Sequence, residues 1–395
     1  MKFEYYNPTH LIFGAGTLAR LGEVTSAYGK KAMIVTGGGS VKRSGAFDRA
    51  VASLSAAGVS FVECDGVEPN PRLSSVARGG EIARTEGCDV VIALVGGSVM
   101  DAAKVMAAAV YYEGDLWEMF PHGQANRRLP ERALPVITVP TLAATGSEMN
   151  SGAVITDEKT TIKSFVGAKC LYPKAAIVDP ELTLSVPKDQ TAYGVCDLIT
   201  HVTESYFNGV DGTPMQDRFA ESVIATAIEW GPKAVADGSN LEARAQVQWA
   251  SVVALNGWVQ TGCMSPFPVH MIEHTISALH DIAHGAGLAI VNPAWMRFAA
   301  KSRPARFAQF AHRIFGIELK SEEDMEAALQ GIDRFEEFLR SIGCPTRLSE
   351  CGIGDELLNR YAEDTLLVAG NAFGQLAGRP MMTQADIVEV LRAAV

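Results

Sequence analysis

Hydrophobic positions along this 395-residue chain follow two periods, and the change from one to the other falls near its middle. In the first half, short apolar runs rich in Val and Ile alternate with stretches of helical spacing. Positions 31–36, 60–64, 89–95 and 135–139 read as strands. Positions 46–57 and 73–86 read as helices, as does the stretch through Asp101 and Lys104. The run DVVIALV at 89–95 is apolar at almost every position, as in a parallel-sheet strand covered on both faces. This alternation predicts a doubly wound, mostly parallel, Rossmann-like α/β domain with ligands at the carboxyl ends of its strands.

From about position 187 the strand signal stops. Amphipathic segments at 190–207, 217–230, 241–259, 270–280, 305–315, 322–342 and 385–395 predict an all-α domain. Asp179-Pro180 and Pro187 mark the seam, so the expected domains are 1–186 and 187–395. The length agrees, being too great for one ordinary hydrophobic core.

Composition narrows the function classes. With 48% hydrophobic and 20% charged residues the chain is typical of globular proteins. A formal charge of −11 argues against nucleic acid or an anionic membrane as partner, yet leaves room for one small basic pocket. The seven cysteines form no CxxC pair, which fits a reducing compartment. No apolar run is long enough to span a bilayer. A cytoplasmic protein is expected.

The chemistry concentrates in the second half. Asp197 and His201 are four residues apart in CDLITHVTE, so a helix carries both on one face. His270 and His274 repeat the device in HMIEHTISALH, and His284 follows just before Gly285. Five of the eight histidines lie between 201 and 284, too concentrated a set for unrelated helix residues satisfied by neighbours. Asp197, His201, His270 and His284 form a candidate ligand set of one carboxylate and three imidazoles. That donor set suits Zn²⁺ or Fe²⁺ and is too rich in nitrogen for Ca²⁺ or Mg²⁺.

Glycine-rich turns end two of the predicted strands, at Gly37-Gly38-Gly39-Ser40 and Gly96-Gly97-Ser98. Glycine lets backbone N–H groups approach a phosphate, and a following helix N-terminus adds partial positive charge. Neither turn matches GxGxxG, and each alone is as readily structural. The pair in one sheet points to a dinucleotide. The hydroxyl-rich segment from Pro140 to Glu148 either lines the same crevice or merely caps its own backbone.

Taken together these marks resemble the iron-dependent, or group III, alcohol dehydrogenases over nearly the whole chain. The resemblance rests on NPTHLIFGAG from Asn7 to Gly16, Gly37 to Ser40, Asn70-Pro71, and Gly97-Ser98 with Asp101 and Lys104. It extends through Pro140 to Asn150, Asp179-Pro180, Asp197 with His201, and His270 with His274 up to His284-Gly285. The chain is most similar to the aldehyde reductase and butanol dehydrogenase subgroup, with its 14-residue spacing between the last two ligands. The resemblance implies a homodimer or larger homo-oligomer acting on small alcohols and aldehydes, with Asp197, His201, His270 and His284 as metal ligands. It also implies cofactor contacts from Gly38, Gly39, Ser40, Asn70, Gly97, Ser98, Asp101, Thr138, Thr141, Ser147 and Lys163. One departure stands out: the family usually has a third glycine before the Gly97-type pair, where this chain has Val95 or Gly96.

The implied reaction is reversible hydride transfer at the nicotinamide, with the substrate oxygen held by the metal. His274 is the candidate relay for the alcohol proton, the alternative being simple pocket lining; His280 reads as support for His284. Met264, Pro266, Phe267, Pro268 and Val269 read as an apolar pocket wall, favouring short aliphatic or aromatic substrates. NADP(H) is the expected cofactor, with NAD(H) possible. The family's NAD enzymes carry Asp where this chain has Gly39, and Lys42 or Arg43 offers positive charge to a 2′-phosphate. The rival readings are a same-fold glycerol-, polyol- or sugar-phosphate-type dehydrogenase, a dehydroquinate-synthase-like lyase, and a cofactor-free metallohydrolase. The first two are disfavoured by few Lys and Arg in the metal-binding segments, and the last leaves both glycine turns without a purpose.

Overall fold

The computed structural model describes residues 2–121 and 127–395, and for Ser98 the backbone only. The chain divides into two compact units. One comprises Tyr6–Pro187 with Gly238–Val252; the other comprises Met1–Tyr5, Lys188–Asp237 and Val253–Val395.

The first unit is the expected doubly wound α/β fold. Its strands are β1 (His10–Phe13), β2 (Lys31–Val35), β3 (Ser60–Cys64), β4 (Val90–Val95), β5 (Val136–Pro140), β6 (Gly152–Asp157), β7 (Ile162–Gly167) and β8 (Ala175–Val178). Six of them form a sheet in the order β1-β8-β5-β4-β2-β3, parallel throughout. β6 and β7 make a separate antiparallel hairpin.

Alternation within each strand explains why the strands read as apolar runs. Met33, Val35, Val91, Ala93 and Val95 face one core, packed with helices Leu73–Thr85 and Gly97–Ala109. Ala32, Ile34, Val90, Ile92 and Leu94 face the other, packed with helix Ala46–Ala56. Both faces are covered, so the central strands are apolar at nearly every position, and the one hydroxyl in β5, on Thr138, is met by the Ala175 carbonyl.

Helix Leu241–Ala254 follows the helical part of the chain in sequence, yet its residues up to Val252 group with the α/β unit. Val252 packs with Met149, Ala176 and Val178, and the Trp249 ring meets Phe13 edge-on at 5.4 Å. Ser251 Oγ donates to the Ala144 carbonyl at 3.0 Å, which ties this helix to the hydroxyl-rich turn after β5. The other unit is helical, with Lys188–Asn208, Pro214–Ala236, Pro268–His280, His284–Ala300, Pro304–Phe315, Met325–Ser341, Leu358–Ala369 and Gln384–Ala393 as its main helices. Among the described residues no helix is long and apolar enough to cross a membrane.

Asp179, fully buried at the end of β8, explains the Asp-Pro mark. Its carboxylate accepts from the backbone N–H groups of Gly16, Leu18 and Glu181, each at 3.1 Å. It thereby anchors the short helix after β1 to the end of the sheet, and Pro180 occupies the first turn where no N–H is needed. Replacing Asp179 with Ala strands one buried and two partly buried donors and should cost about 1–3 kcal/mol, read as a lower midpoint in denaturant unfolding. Unfolding at the wild-type midpoint would show that the three contacts do not carry this load.

Candidate active site

The histidine cluster is built from three helices of the helical unit. Helix Lys188–Asn208 carries Asp197 and His201 one turn apart, Pro268–His280 carries His270 near its start, and His284 opens helix His284–Ala300. Around Asp197 Oδ1 stand His201 Nδ1 at 3.2 Å, His270 Nε2 at 3.7 Å and His284 Nε2 at 3.9 Å. Asp197 Oδ1, His201 Nδ1 and His270 Nε2 are buried and have no hydrogen-bond partner. Buried polar atoms rarely stay unmet, so three converging on one point mark a place for something that binds all of them. Donors about 2.1 Å from a tetrahedral ion lie roughly 3.4 Å apart, close to the spacing found. The donor set and the geometry fit a divalent metal.

Behind this cluster are two carboxylates that the sequence reading passed over. Glu204 pairs with His270 Nδ1 and also accepts from the Val269 N–H at 2.5 Å. Glu273 pairs with His284 Nδ1. Each carboxylate fixes the ring's tautomer and turns Nε2 toward Asp197. In the sequence each carboxylate lies about one helical turn after a histidine, Glu204 after His201 and Glu273 after His270, but each pairs with a different histidine, so spacing marks them only as neighbours of the cluster. Gly285 has a steric reason. A Cβ there would lie 2.2 Å from the Tyr193 carbonyl oxygen, so only glycine lets the start of this helix seat against helix Lys188–Asn208.

Electrostatics divides the protons of the cluster. Burial drives the His201 pKa down to about 4 against the pull of Asp197. Burial also opposes charge on His270, but Glu204 and Asp197 overcome it and raise His270 to about 9. For Asp197, burial works against ionisation, and His201, His270 and His284 outweigh it, leaving the pKa lowered.

His274 is buried one turn beyond His270, its ring centroid 5.5 Å from that of His284. The potential donors fall into two groups, Asp197 with His201 and His270, and His274 with Glu273 and His284, joined by the 3.9 Å approach of His284 Nε2 to Asp197 Oδ1. His280, expected to support His284, instead bonds the Tyr361 hydroxyl at 2.6 Å, because Glu273 already occupies His284 Nδ1. The expected apolar wall is also revised. Met264 is 84% exposed and Val269 is in the core, whereas the Phe267 ring lies 5.6 Å from His270 and 6.3 Å from His201.

In the α/β unit, the turns after β2, β4 and β5 stand at the carboxyl ends of three neighbouring parallel strands. Gly39 has φ 91°, and Gly38 has nothing near its missing Cβ, so the first turn leaves its backbone bare. Gly97 starts its helix where a Cβ would meet the Thr145 side chain at 2.3 Å, which locks the second turn against the third. The Thr141 N–H donates to the Val95 carbonyl at 3.0 Å and ties the same two turns together. Ser98 belongs to that helix by its backbone; its side chain lies outside the described residues.

A buried polar network backs these turns. Ser147 Oγ donates to Asp101 Oδ1 at 2.5 Å, and Asp101 Oδ2 accepts from the Val154 N–H. Lys104 Nζ, fully buried, donates to Ser147 Oγ, Asn150 Oδ1 and the Gly152 carbonyl. Burial lowers the Lys104 pKa to about 8 and raises Glu148 to about 7. Lys163 Nζ donates to Asn70 Oδ1 at 2.9 Å, holding Asn70 in the left-handed region at φ 51°. Asparagine adopts that conformation more readily than other non-glycine residues, so the turn can keep a side chain there. Thr138 is not brought to this group: it is fully buried within β5, and its hydroxyl donates to the Ala175 carbonyl at 3.4 Å.

The expected positive charge beside Gly39 is also modified. Lys42 Nζ lies 2.6 Å from Glu63 and 4.0 Å from Asp65, so it reaches β3 instead of standing free. Arg43 folds back toward the Gly38 carbonyl at 3.4 Å.

Comparison with known proteins agrees with both units. Residues 8–180 match the model for iron-containing alcohol dehydrogenase, and residues 191–395 match the C-terminal model of the Fe-containing alcohol dehydrogenase family. The chain is 43% identical over 393 residues to the probable NADH-dependent butanol dehydrogenase 1 of Bacillus subtilis, covering all of this chain and 99% of that one. It is 35% identical to the NADPH-dependent aldehyde reductase YqhD of Escherichia coli, covering 89% of each. The crystal structure of NADH-dependent butanol dehydrogenase A from Thermotoga maritima superposes with a TM-score of 0.94 at 40% identity, over all of this chain and 98% of that one. With its parallel α/β unit, its three-helix histidine cluster and matches along nearly its whole length, the chain belongs to the iron-containing alcohol dehydrogenase family.

Proposed function

We propose that the protein is a metal-dependent alcohol dehydrogenase that acts chiefly as an aldehyde reductase on short aliphatic or aromatic substrates with NADP(H), accepting NAD(H) as well. The observation that carries this reading is the convergence of three imidazole nitrogens on Asp197 Oδ1, with a buried carboxylate behind two of the three rings. When bound, the ion supplies a Lewis acid for the substrate oxygen, and the nicotinamide supplies or takes the hydride.

The chain's own residues do the rest. Asp197, His201, His270 and His284 hold the ion, and Glu204 and Glu273 keep His270 and His284 aimed at it. Phe267 gives the substrate an apolar surface and keeps water away. His274 takes and returns the hydroxyl proton through its imidazole. In the α/β unit, Gly38, Gly39, Ser40 and Gly97 offer backbone to the phosphates. Asn70, Asp101, Ser147 and Lys163, joined by the hydrogen bonds described, hold the dinucleotide's polar edges in place.

Removing a ligand should empty the site. His284→Ala or His270→Ala should lose metal and turnover together, and Glu204→Gln should weaken metal binding about 10–100-fold, measured by chelator competition. Full occupancy in both histidine variants would refute the ligand set. Fe²⁺ is the expected working ion, although Zn²⁺ should bind more tightly by the stability order; activity after reconstitution with each ion separates the two.

Substrate choice follows from Phe267. Butanal and benzaldehyde should give a higher kcat/KM than glycerol or a sugar phosphate, and the reverse order would rule out this pocket. Reduction consumes a proton, so it should dominate near neutrality, with alcohol oxidation gaining as the pH rises.

Cofactor choice is read from Gly39, whose missing side chain leaves room for a 2′-phosphate. Gly39→Asp should weaken NADP(H) selectively. At φ 91° any side chain adds backbone strain of about 1 kcal/mol or more, so Gly39→Ala serves as the control that carries strain without charge. A lower KM and higher kcat with NAD(H) in the wild type would overturn the preference.

A further inference from the structure

The first glycine turn opens a βαβ unit: β2, helix Ala46–Ala56, then β3 paired parallel to β2. The end of the second strand in such a unit is where dinucleotide-binding folds offer a carboxylate to the adenosine ribose and repel a 2′-phosphate. In this chain that position is Glu63, opposite Ile34 in the register and one residue before the end of β3. The turn itself contains no acid, so the sequence conveys a pocket open to phosphate. The fold brings one back.

Glu63 Oε1 reaches both sides of the turn's entrance. It lies 2.6 Å from Lys42 Nζ and 3.4 Å from Thr36 Oγ1, the residue just ahead of Gly37. Asp65 adds a second carboxylate 4.0 Å from the same ammonium. Lys42 also lies 5.3 Å from the Phe47 ring, so its position is set from two directions. Of the two basic residues after the turn, only Arg43 leans over Gly38 and Gly39. Its guanidinium comes 3.3 Å from where a Cβ on Gly39 would be.

We infer that Glu63 is a cofactor-discriminating residue, which restrains the preference for NADP(H) by holding Lys42 on β3 and by placing its own negative charge beside the adenosine ribose site. The inference rests on the proposed use of a nicotinamide dinucleotide at this turn. Gly39 and Arg43 favour the 2′-phosphate, Glu63 and Asp65 oppose it, and Lys42 is the charge they contest. Pairs this exposed are weak in stability terms, but a charge beside a phosphate changes selectivity directly.

The test is the ratio of NADPH to NADH affinity, read by nicotinamide fluorescence on the metal-loaded protein and again as kcat/KM with butanal. Glu63→Gln keeps the shape, removes the charge and frees Lys42. It should raise the NADPH/NADH ratio about fivefold at low salt, with the gain fading as ionic strength rises. Asp65→Asn should move the ratio the same way by less. Lys42→Met should abolish most of the gain in the Glu63→Gln background while changing the wild-type ratio little, a coupling that a merely structural role for Glu63 would not produce. An unchanged or lowered ratio in Glu63→Gln would overturn the inference. If butanal is not reduced but both dinucleotides bind, the proposed activity fails, while the affinity ratio still decides the role of Glu63.

Discussion

A carboxylate buried in a helical core is costly unless its charge is answered, and Asp197 is such a carboxylate. The helices around it are arranged as that answer. Three of them deliver imidazole nitrogens to a single oxygen, and the small residues at their crossings follow from the requirement. Gly285 lets one helix start against the Tyr193 carbonyl, and Gly287 clears space for the Glu273 side chain that supports His284. Asn292, further along that helix, donates to Thr200 and Thr203 on the Asp197 helix and holds the crossing from behind.

The same logic, with the charges reversed, operates in the α/β unit. Lys104 is an ammonium with no exposure, satisfied by a serine, an asparagine and a carbonyl, with Asp101 nearby. Because these partners come from the turn after β5 and from β6, the cation draws the glycine turn and the hydroxyl-rich turn into one rigid rim. Rigidity matters there, since backbone amides bind phosphate well only when they need not reorganise to do so. Both units thus spend a buried charge on geometry: in the helical unit Asp197 stands at the centre of the cluster itself, and in the α/β unit Lys104 sits one layer behind the turns it joins.

Much of this was legible in the chain. The strands at β2, β4 and β5 show as largely apolar runs because both sheet faces are covered there, whereas β3, at the sheet edge and only partly buried, shows by its short β-rich pattern. Asp197 and His201 declare themselves by helical spacing alone. Other elements left a weaker trace. β1 and β8 have only four residues each, too few to establish a period. Helix His284–Ala300 begins with glycines at 285 and 287 and contains Pro293, residues that read against a helix. They are there for the crossing, and the crossing is not visible in one dimension.

What the sequence determined by itself is local: which segments are strand or helix, which turns are bare of side chains, and which candidate ligands share a helix face. Those follow from periodicity and from the conformational limits of single residues. The tertiary structure alone decided the partners of the charges. Glu204 meets His270 across two helices, and Lys42 meets Glu63 because parallel pairing of β2 and β3 brings the end of one strand beside the turn that follows the other. A charge takes whichever opposite charge lies nearest in space, and distance in space is set by packing, not by position along the chain.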